Sequence, residues 1–560
     1  MINLEKQPYN LSKEEIYEVY QSLKNMTIEE KIGQIFFVIG PMIEDEFLGN
    51  FIRKYKPGGI MYRPDQANLI KNKIVSIQKN SDIPMFTAAN LESGGIGIVT
   101  EGTFVGNPMQ IAATQSEKNA QKLGEISSAE ATEVGVNMSF SPIVDIDYNF
   151  KNPITNIRTF GSNPETVLAM SRHQIRGLQT NDVIPVIKHF PGDGMDDRDQ
   201  HLVTSINSLD MEDWKHSYGK IYSSLIKDGA PVVMIGHIAF PEYVKSKSSD
   251  KKEAFKPASL SKILVTDLLR KDLGFNGLAI TDATPMIGYN AHHTRRDSLI
   301  KTINSGIDMI LFNKNIDEDY GYVMEAVRNK EISMDTIDSA VIRILATKKA
   351  QKIEQKIKTI ISDSDVDFEN IGNNISQGIS KEISDQSITL VRNNENILPI
   401  SPKKTPRIRL YLLKDSMNGG FKQGEEKIDS IADKLINVGF KVEVFNNKKL
   451  DFHEIFEEGV EELKDKFDLA IYIGNIETAS NHTTRRIDWI SLMAANAPWF
   501  VHDIPTIFVS TANPYHLYDV PMVETFINTY SANEETLVSL VEKLIGKSEF
   551  KGISPVKVEL

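Results

Sequence analysis

The chain has 560 residues, 41% of them hydrophobic and 25% charged, and its 63 Lys and Arg against 76 Asp and Glu give a formal charge of -13. That length exceeds what one hydrophobic core supports and fits two domains, while the acidic balance argues against nucleic acid or an anionic membrane as principal partner. The absence of cysteine excludes disulfides, thiolate metal sites and a cysteine nucleophile; with a polar N-terminus and no apolar run long enough for a signal or a membrane span, a cytoplasmic location is expected.

Along the first 350 residues, short apolar runs alternate with longer amphipathic stretches, the pattern of repeated strand-helix units. Eight runs read as strands: Ile35 to Val38, Gly59 to Tyr62, Pro84 to Ala89, Met138 to Ser141, Val183 to Ile187, Val232 to Gly236, Leu278 to Thr281, and Met309 to Phe312. Thr27 followed by Glu30 has capping-box spacing, and Asn163 before Pro164 offers an N-cap with proline at the first helical position. Eight such units predict an α/β fold, an N-terminal (β/α)8 barrel over residues 1–350. Most runs end in a polar residue: Asn90, Lys188 with His189, His237, Asp282 and Asn313 follow strands directly, and Asp145 lies shortly beyond one. In a barrel these ends converge on one face, although strands ending at solvent show the same pattern.

Residues 351–384 read as a helix and linker. A second α/β domain is expected over 385–560, an open doubly wound sheet with strands at Ile388 to Val391, Ile408 to Leu412, Val442 to Phe445, Leu469 to Tyr472, Ile507 to Ser510 and Thr525 to Ile527. Helical patterns at Lys427 to Val438 and Glu534 to Ile545 intervene.

Two segments carry chemistry. Lys188-His189-Phe190-Pro191-Gly192-Asp193-Gly194 leads to Asp199 and His201, a glycine-rich irregular loop directly after a strand. Asp199 and His201 are two residues apart, so in extended chain their side chains leave the same side and the carboxylate can hold the imidazole as a general acid and base. The bland reading is a surface hydrogen bond. Asp193, Asp196, Asp197 and Asp199 also raise calcium, but they lack the alternating ligand spacing and closing glutamate of an EF-hand loop. In the second segment, Leu278 to Met286, Asp282 sits where an apolar strand meets a loop. A carboxylate there can attack an anomeric carbon, or it can simply cap a helix.

Lys188 to His201, Asp282 to Met286 and Asn152 to Gly161 together resemble the signatures of glycoside hydrolase family 3, in its β-N-acetylglucosaminidase branch. The resemblance runs from about Thr27 through the barrel and more weakly through the second domain. It implies that Asp282 is the nucleophile, His201 the acid/base and Asp199 its partner, and that Lys188, His189 and Arg158 hold sugar hydroxyls. Asn90, His237 and Met286 complete the expected substrate-binding set, and no metal or cofactor is expected. The implied reaction is retaining, exo-acting hydrolysis of terminal β-linked N-acetylglucosamine from a small oligosaccharide or glycoconjugate, with a histidine in place of the second carboxyl group.

Family 3 β-glucosidases carry their acid/base glutamate in the second domain, shortly before an Asp-Arg pair. Here the comparable stretch runs from Glu477 to Asp488 without that context, leaving Glu477 as a minor alternative, and His482 or Arg485 as residues reaching over the pocket or capping a helix. Where the branch usually has Asp-Gln-Glu-Gly-Gly followed by arginines, this chain has Asn90-Leu91-Glu92-Ser93-Gly94-Gly95-Ile96-Gly97-Ile98. An amide replaces a sugar-binding carboxylate, though an amide still donates and accepts. The competing readings are a phosphorylase using the same residues, since histidine tolerates an approaching phosphate that glutamate repels, a β-glucosidase, and a noncatalytic sugar-binding protein.

Overall fold

The computed structural model describes residues 2–40, 45–362, 368–414, 427–446, 455–478, 480–481, 486–491 and 493–558. Eight parallel strands form the first sheet: β1 (Phe36–Ile39), β2 (Gly59–Met61), β3 (Phe86–Ala89), β4 (Met138–Ser139), β5 (Ile184–Phe190), β6 (Val232–Ile235), β7 (Leu278–Thr281) and β8 (Ile310–Leu311). They follow in order from β1 to β7, with β8 beside β1. A bridge between Ile280 and Met309 brings β7 against the approach to β8, so the sheet closes into a barrel.

Both faces of these strands are apolar, as a parallel sheet covered by helices requires. Val232 and Met234 of β6, with Leu278 and Ile280 of β7, fill the barrel interior. Val233, Ile235 and Ala279 pack outward against the helices. The helices start where local chemistry supplies caps. Thr27 and Glu30 exchange side-chain to backbone hydrogen bonds of 3.2 and 2.9 Å, and Asn163 accepts from the first amides of the helix that Pro164 opens.

Helices at Ile353–Ser362 and Asn374–Ser387 lead to a six-stranded sheet. Its strands are β9 (Thr389–Asn393), β10 (Arg407–Lys414), β11 (Lys441–Val444), β12 (Leu469–Asn475), β13 (Thr506–Ser510) and β14 (Thr525–Asn528). The spatial order is β9-β14-β13-β12-β10-β11, parallel except for the β9/β14 pair. One face packs Leu410, Ile471 and Val509 against helical Leu435 and Leu540. The other carries an aromatic row in which Tyr411 stacks on Tyr472 at 4.2 Å and Phe508 on Phe526 at 5.5 Å. Two buried faces make the sheet doubly wound, as expected.

Strand boundaries agree within three residues; β5 and β12 each run three residues beyond the expected end, to Phe190 and Asn475, and β4 and β8 have only two residues each. The two sheets belong to one packed structure. Met109, Ile157, Tyr515 and Tyr530 form a shared apolar cluster, and Tyr515 donates to the buried Asp147 carboxylate at 2.7 Å. Among the described residues, no helix is long and apolar enough to cross a membrane.

Candidate active site

At the C-terminal ends of the barrel strands a cavity is lined by Asn90, Arg158, Lys188, His189, His201 and Asp282, six of the nine residues singled out from sequence. β5 explains how two adjacent residues can both face it. Regular alternation places Ile184 and Val186 inside the barrel and would turn Lys188 inward but His189 outward. Pairing with β6 shifts register between Ile187 and Phe190, so Lys188 and His189 both reach the cavity and Phe190 packs on the outer side.

Asp282 follows β7. Its Oδ1 accepts from the Ala283 N–H at 2.7 Å, while Oδ2 is buried without a hydrogen-bond partner and lies 3.8 Å from His189 Nε2. Burial acts to raise its pKa, but the field of the neighbouring imidazoles, His189 foremost, outweighs burial and holds it below the usual value. The result is an ionised carboxylate with one oxygen free to attack. His189 is held from behind, its Nδ1 2.7 Å from Asp145 Oδ2.

Asp199 and His201 form the second feature. His201 Nδ1 lies 2.7 Å from Asp199 Oδ1, which also accepts the His201 backbone N–H at 2.8 Å. That pairing leaves Nε2 as the ring nitrogen able to move a proton. The carboxylate is fully buried and the imidazole 15% exposed. The Asp199 Oδ2 accepts from the backbone N–H of Asn481, in the second domain.

The loop bearing this pair is anchored through Asp193. Its N–H donates to Asp145, and its carboxylate accepts from Asn152 at 3.0 Å and Gln200 at 3.2 Å. Burial, then the charge of Asp145, pushes the Asp193 carboxyl well above its ordinary pKa. Asp196 pairs with Arg198 at 2.7 Å. Three members of the acidic cluster are therefore engaged by protein donors, which explains their density without an ion.

His237 and Met286 sit behind the cavity wall and do not line it. His237 is fully buried, with Nδ1 2.8 Å from Ser259 Oγ and Nε2 3.0 Å from the Ala283 carbonyl. Burial pushes its pKa down to about 4, and a neutral ring satisfies both contacts by donating to Ala283 and accepting from Ser259. It thus fixes the residue after Asp282. Met286 is buried and precedes the short helix Ile287–Asn290, whose first N–H donates to the His201 carbonyl at 3.0 Å. Neither is among the residues that line the cavity.

Sequence reasoning passed over three residues. Glu92 accepts from Arg158 at 3.0 and 2.9 Å and from Lys188 at 2.6 Å. Its burial is outweighed by these two cations, which hold its carboxyl far below the ordinary range. Arg63, shortly after β2, lines the cavity; it follows the run Gly59 to Tyr62 directly, the same signal that selected Asn90. Asn481 carried no local signal. Among the described residues Glu477 does not line the cavity, and His482 and Arg485 lie outside the described residues.

The profile described as "Glycosyl hydrolase family 3 N terminal domain" matches residues 27–347. A beta-N-acetylglucosaminidase/beta-glucosidase of Cellulomonas fimi is 37% identical over 99% of this chain and 98% of its own length. Beta-hexosaminidase A of Pseudoalteromonas piscicida is 27% identical, covering 63% of this chain and 62% of that protein. Among solved structures, a beta-glucoside phosphorylase superposes with a TM-score of 0.90 and 39% identity over 99% of this chain and 98% of the other. A family 3 beta-N-acetylglucosaminidase from Paenibacillus sp. str. FPU-7 shares the fold at 22% identity, with a TM-score of 0.80 over 96% of this chain and 100% of that one.

Proposed function

The chain belongs to glycosyl hydrolase family 3 and is a glycosidase, and on that premise we propose that it removes terminal β-linked N-acetylglucosamine with retention, through a covalent sugar on Asp282. In the first step Asp282 Oδ2 attacks the anomeric carbon as the glycosidic C–O bond breaks, and His201 Nε2 gives its proton to the departing oxygen. In the second step His201 takes a proton from water, the water oxygen bonds to the anomeric carbon, and the bond to Asp282 breaks. Arg158, Lys188, His189 and Asn90 hold the sugar between these two groups.

The observation that carries this reading is the Oδ2 of Asp282, which accepts no hydrogen bond, in the same cavity as an imidazole whose other nitrogen is held by a carboxylate. The test is turnover of aryl β-N-acetylglucosaminides and aryl β-glucosides by Asp282→Ala and His201→Ala, with mass spectrometry of enzyme incubated with a 2-fluoro glycoside. Asp282→Ala is expected to lose about a thousandfold or more, and His201→Ala about 10²–10⁴-fold. Full activity in either variant, or no adduct on a working enzyme, sinks the two-role assignment. Equal turnover of the two aryl sugars moves the substrate class to β-glucosides as well.

A second reading takes phosphate as the acceptor in place of water. It is favoured by the histidine in place of an anionic acid/base, by the cation Arg63 on the cavity, and by the phosphorylase named among similar structures. A phosphate oxygen then bonds to the anomeric carbon as the Asp282 ester breaks, giving a sugar 1-phosphate. Product analysis with and without inorganic phosphate separates the two: free sugar alone supports hydrolysis, and sugar 1-phosphate supports phosphorolysis.

A further inference from the structure

The Asp199 carboxylate is completed by two domains. Its Oδ1 serves His201 twice, through the backbone N–H and through Nδ1. For its Oδ2, the donor is the backbone N–H of Asn481 at 2.5 Å, 282 positions away in sequence. A carboxylate with no exposed side-chain surface depends on such donors, because water cannot replace them. Asn481 holds φ of 68°, the left-handed region that asparagine and glycine tolerate and β-branched residues avoid. Asn481 lies six residues beyond β12, whose Leu469 to Asn475 are all buried.

We propose that Asn481 is a positioning residue of the acid/base pair, and that docking of the second domain on Asp199 is what holds His201 where it can protonate the leaving group. Asn481 is not among the residues that line the cavity. It fixes the carboxylate plane, the carboxylate fixes the imidazole, and the imidazole must aim Nε2 at the glycosidic oxygen; a misplacement of about 1 Å in such a chain costs on the order of 100-fold. The inference rests on the proposed role of His201.

The test exploits leaving groups. An activated aglycone departs without a proton, whereas a poor one needs the acid, so only a fault in acid catalysis separates the two. For the full-length enzyme, kcat/KM is measured on 2,4-dinitrophenyl and benzyl β-N-acetylglucosaminides, or on the corresponding glucosides if those are turned over. Asn481→Val, which resists the left-handed backbone, is expected to lose about tenfold or more on the benzyl substrate and about twofold or less on the dinitrophenyl one. Asn481→Gly, which keeps both the N–H and the backbone angle, restores the benzyl rate. Dinitrophenyl turnover also reports that the valine variant is folded, and Asn481→Ala replaces it if it is not. Equal losses on both substrates, or no loss on either, overturn the inference. His201→Ala measured alongside separates the two failures: if it discriminates between aglycones and Asn481→Val does not, only the role of Asn481 falls. If His201→Ala loses both rates equally, the acid/base reading falls and this inference with it.

Discussion

Glu92 shows how much of the site's chemistry is carried by a residue that need not touch the sugar. Lys188 is buried in the cavity wall and Arg158 half-buried beside it, and burial, with the charge of Arg158, lowers the pKa of Lys188 despite its anionic neighbour. Between them, the single carboxylate of Glu92 bridges both cations through three contacts of 2.6 to 3.0 Å and offsets part of their charge. Glu92→Gln keeps the shape and removes the charge. It is expected to destabilise the protein by about 3–5 kcal/mol, the cost of leaving buried charge uncompensated, and to raise KM, as read by urea unfolding and steady-state kinetics. Unchanged stability would show that the cations are solvated instead. The acid limb follows from the depressed carboxyl: its contribution is present above the ordinary carboxylate range and is lost as pH falls through the folded value, so Glu92→Gln flattens that decline.

At the scale of elements, the loop from Pro191 to Val203 carries Asp199 and His201, the proposed acid/base pair, away from the end of β5. Its turns depend on glycine at two places. Gly194 has φ of 112°, and a Cβ there would lie 1.8 Å from the Ile146 carbonyl oxygen. Gly194→Ala must therefore move either this loop or the backbone beside Asp145, with a loss of more than about 1 kcal/mol. Because Asp199 lies five residues on, the benzyl-type substrate should slow more than the dinitrophenyl one; wild-type rates on both would show that the loop adjusts locally. Gly192, at φ of 119° against the ring of Tyr218, obeys the same constraint. The register shift in β5 is the companion device. No pattern of residue types in Ile184 to Phe190 announces it, which is why the strand was expected to stop at Ile187.

For the molecule as a whole, the domain interface sits beside the site. Tyr515 donates to Asp147, whose carboxyl is raised chiefly by burial. Tyr515→Phe leaves that oxygen without its donor and is expected to cost about 1–3 kcal/mol. In calorimetry the transition should move down and broaden as the two domains come apart; an unmoved transition would show that the apolar cluster alone joins them. A second whole-molecule property comes from His237 in the barrel and His516 in the second domain, both pushed down to about 4 by burial. They are neutral when folded and take up protons near pH 6.5 when unfolded, so their contribution to stability rises with pH between about 4 and 6.5 and decays as pH falls through that window, against the opposite slope of the raised Asp193 carboxyl. Each contributes at most about 3 kcal/mol. Urea midpoints of wild type and His516→Gln are compared at pH 7 and pH 4.5: the variant should lose less stability than wild type on going to pH 4.5, and the same change in both proteins would refute a neutral buried His516.

Sequence by itself determined the strands, two capped helices, the closure into an eight-stranded barrel with a doubly wound partner, and the identity of Asp282, Asp199 and His201 as candidates. The elements rest on local properties, apolar runs and capping chemistry; Asp282 stands where an apolar run ends, Asp199 and His201 stand two apart in a glycine-rich loop, and their roles come from the family resemblance. Tertiary structure alone decided that His237 and Met286 stand behind the wall, that Glu92 ties Arg158 to Lys188, and that Asn481 reaches Asp199 across 282 positions. The physical reason is that burial and partner choice are properties of the packed chain. A buried polar group takes whichever donor the fold brings within about 3 Å, and nothing in the neighbouring residues records which one that will be.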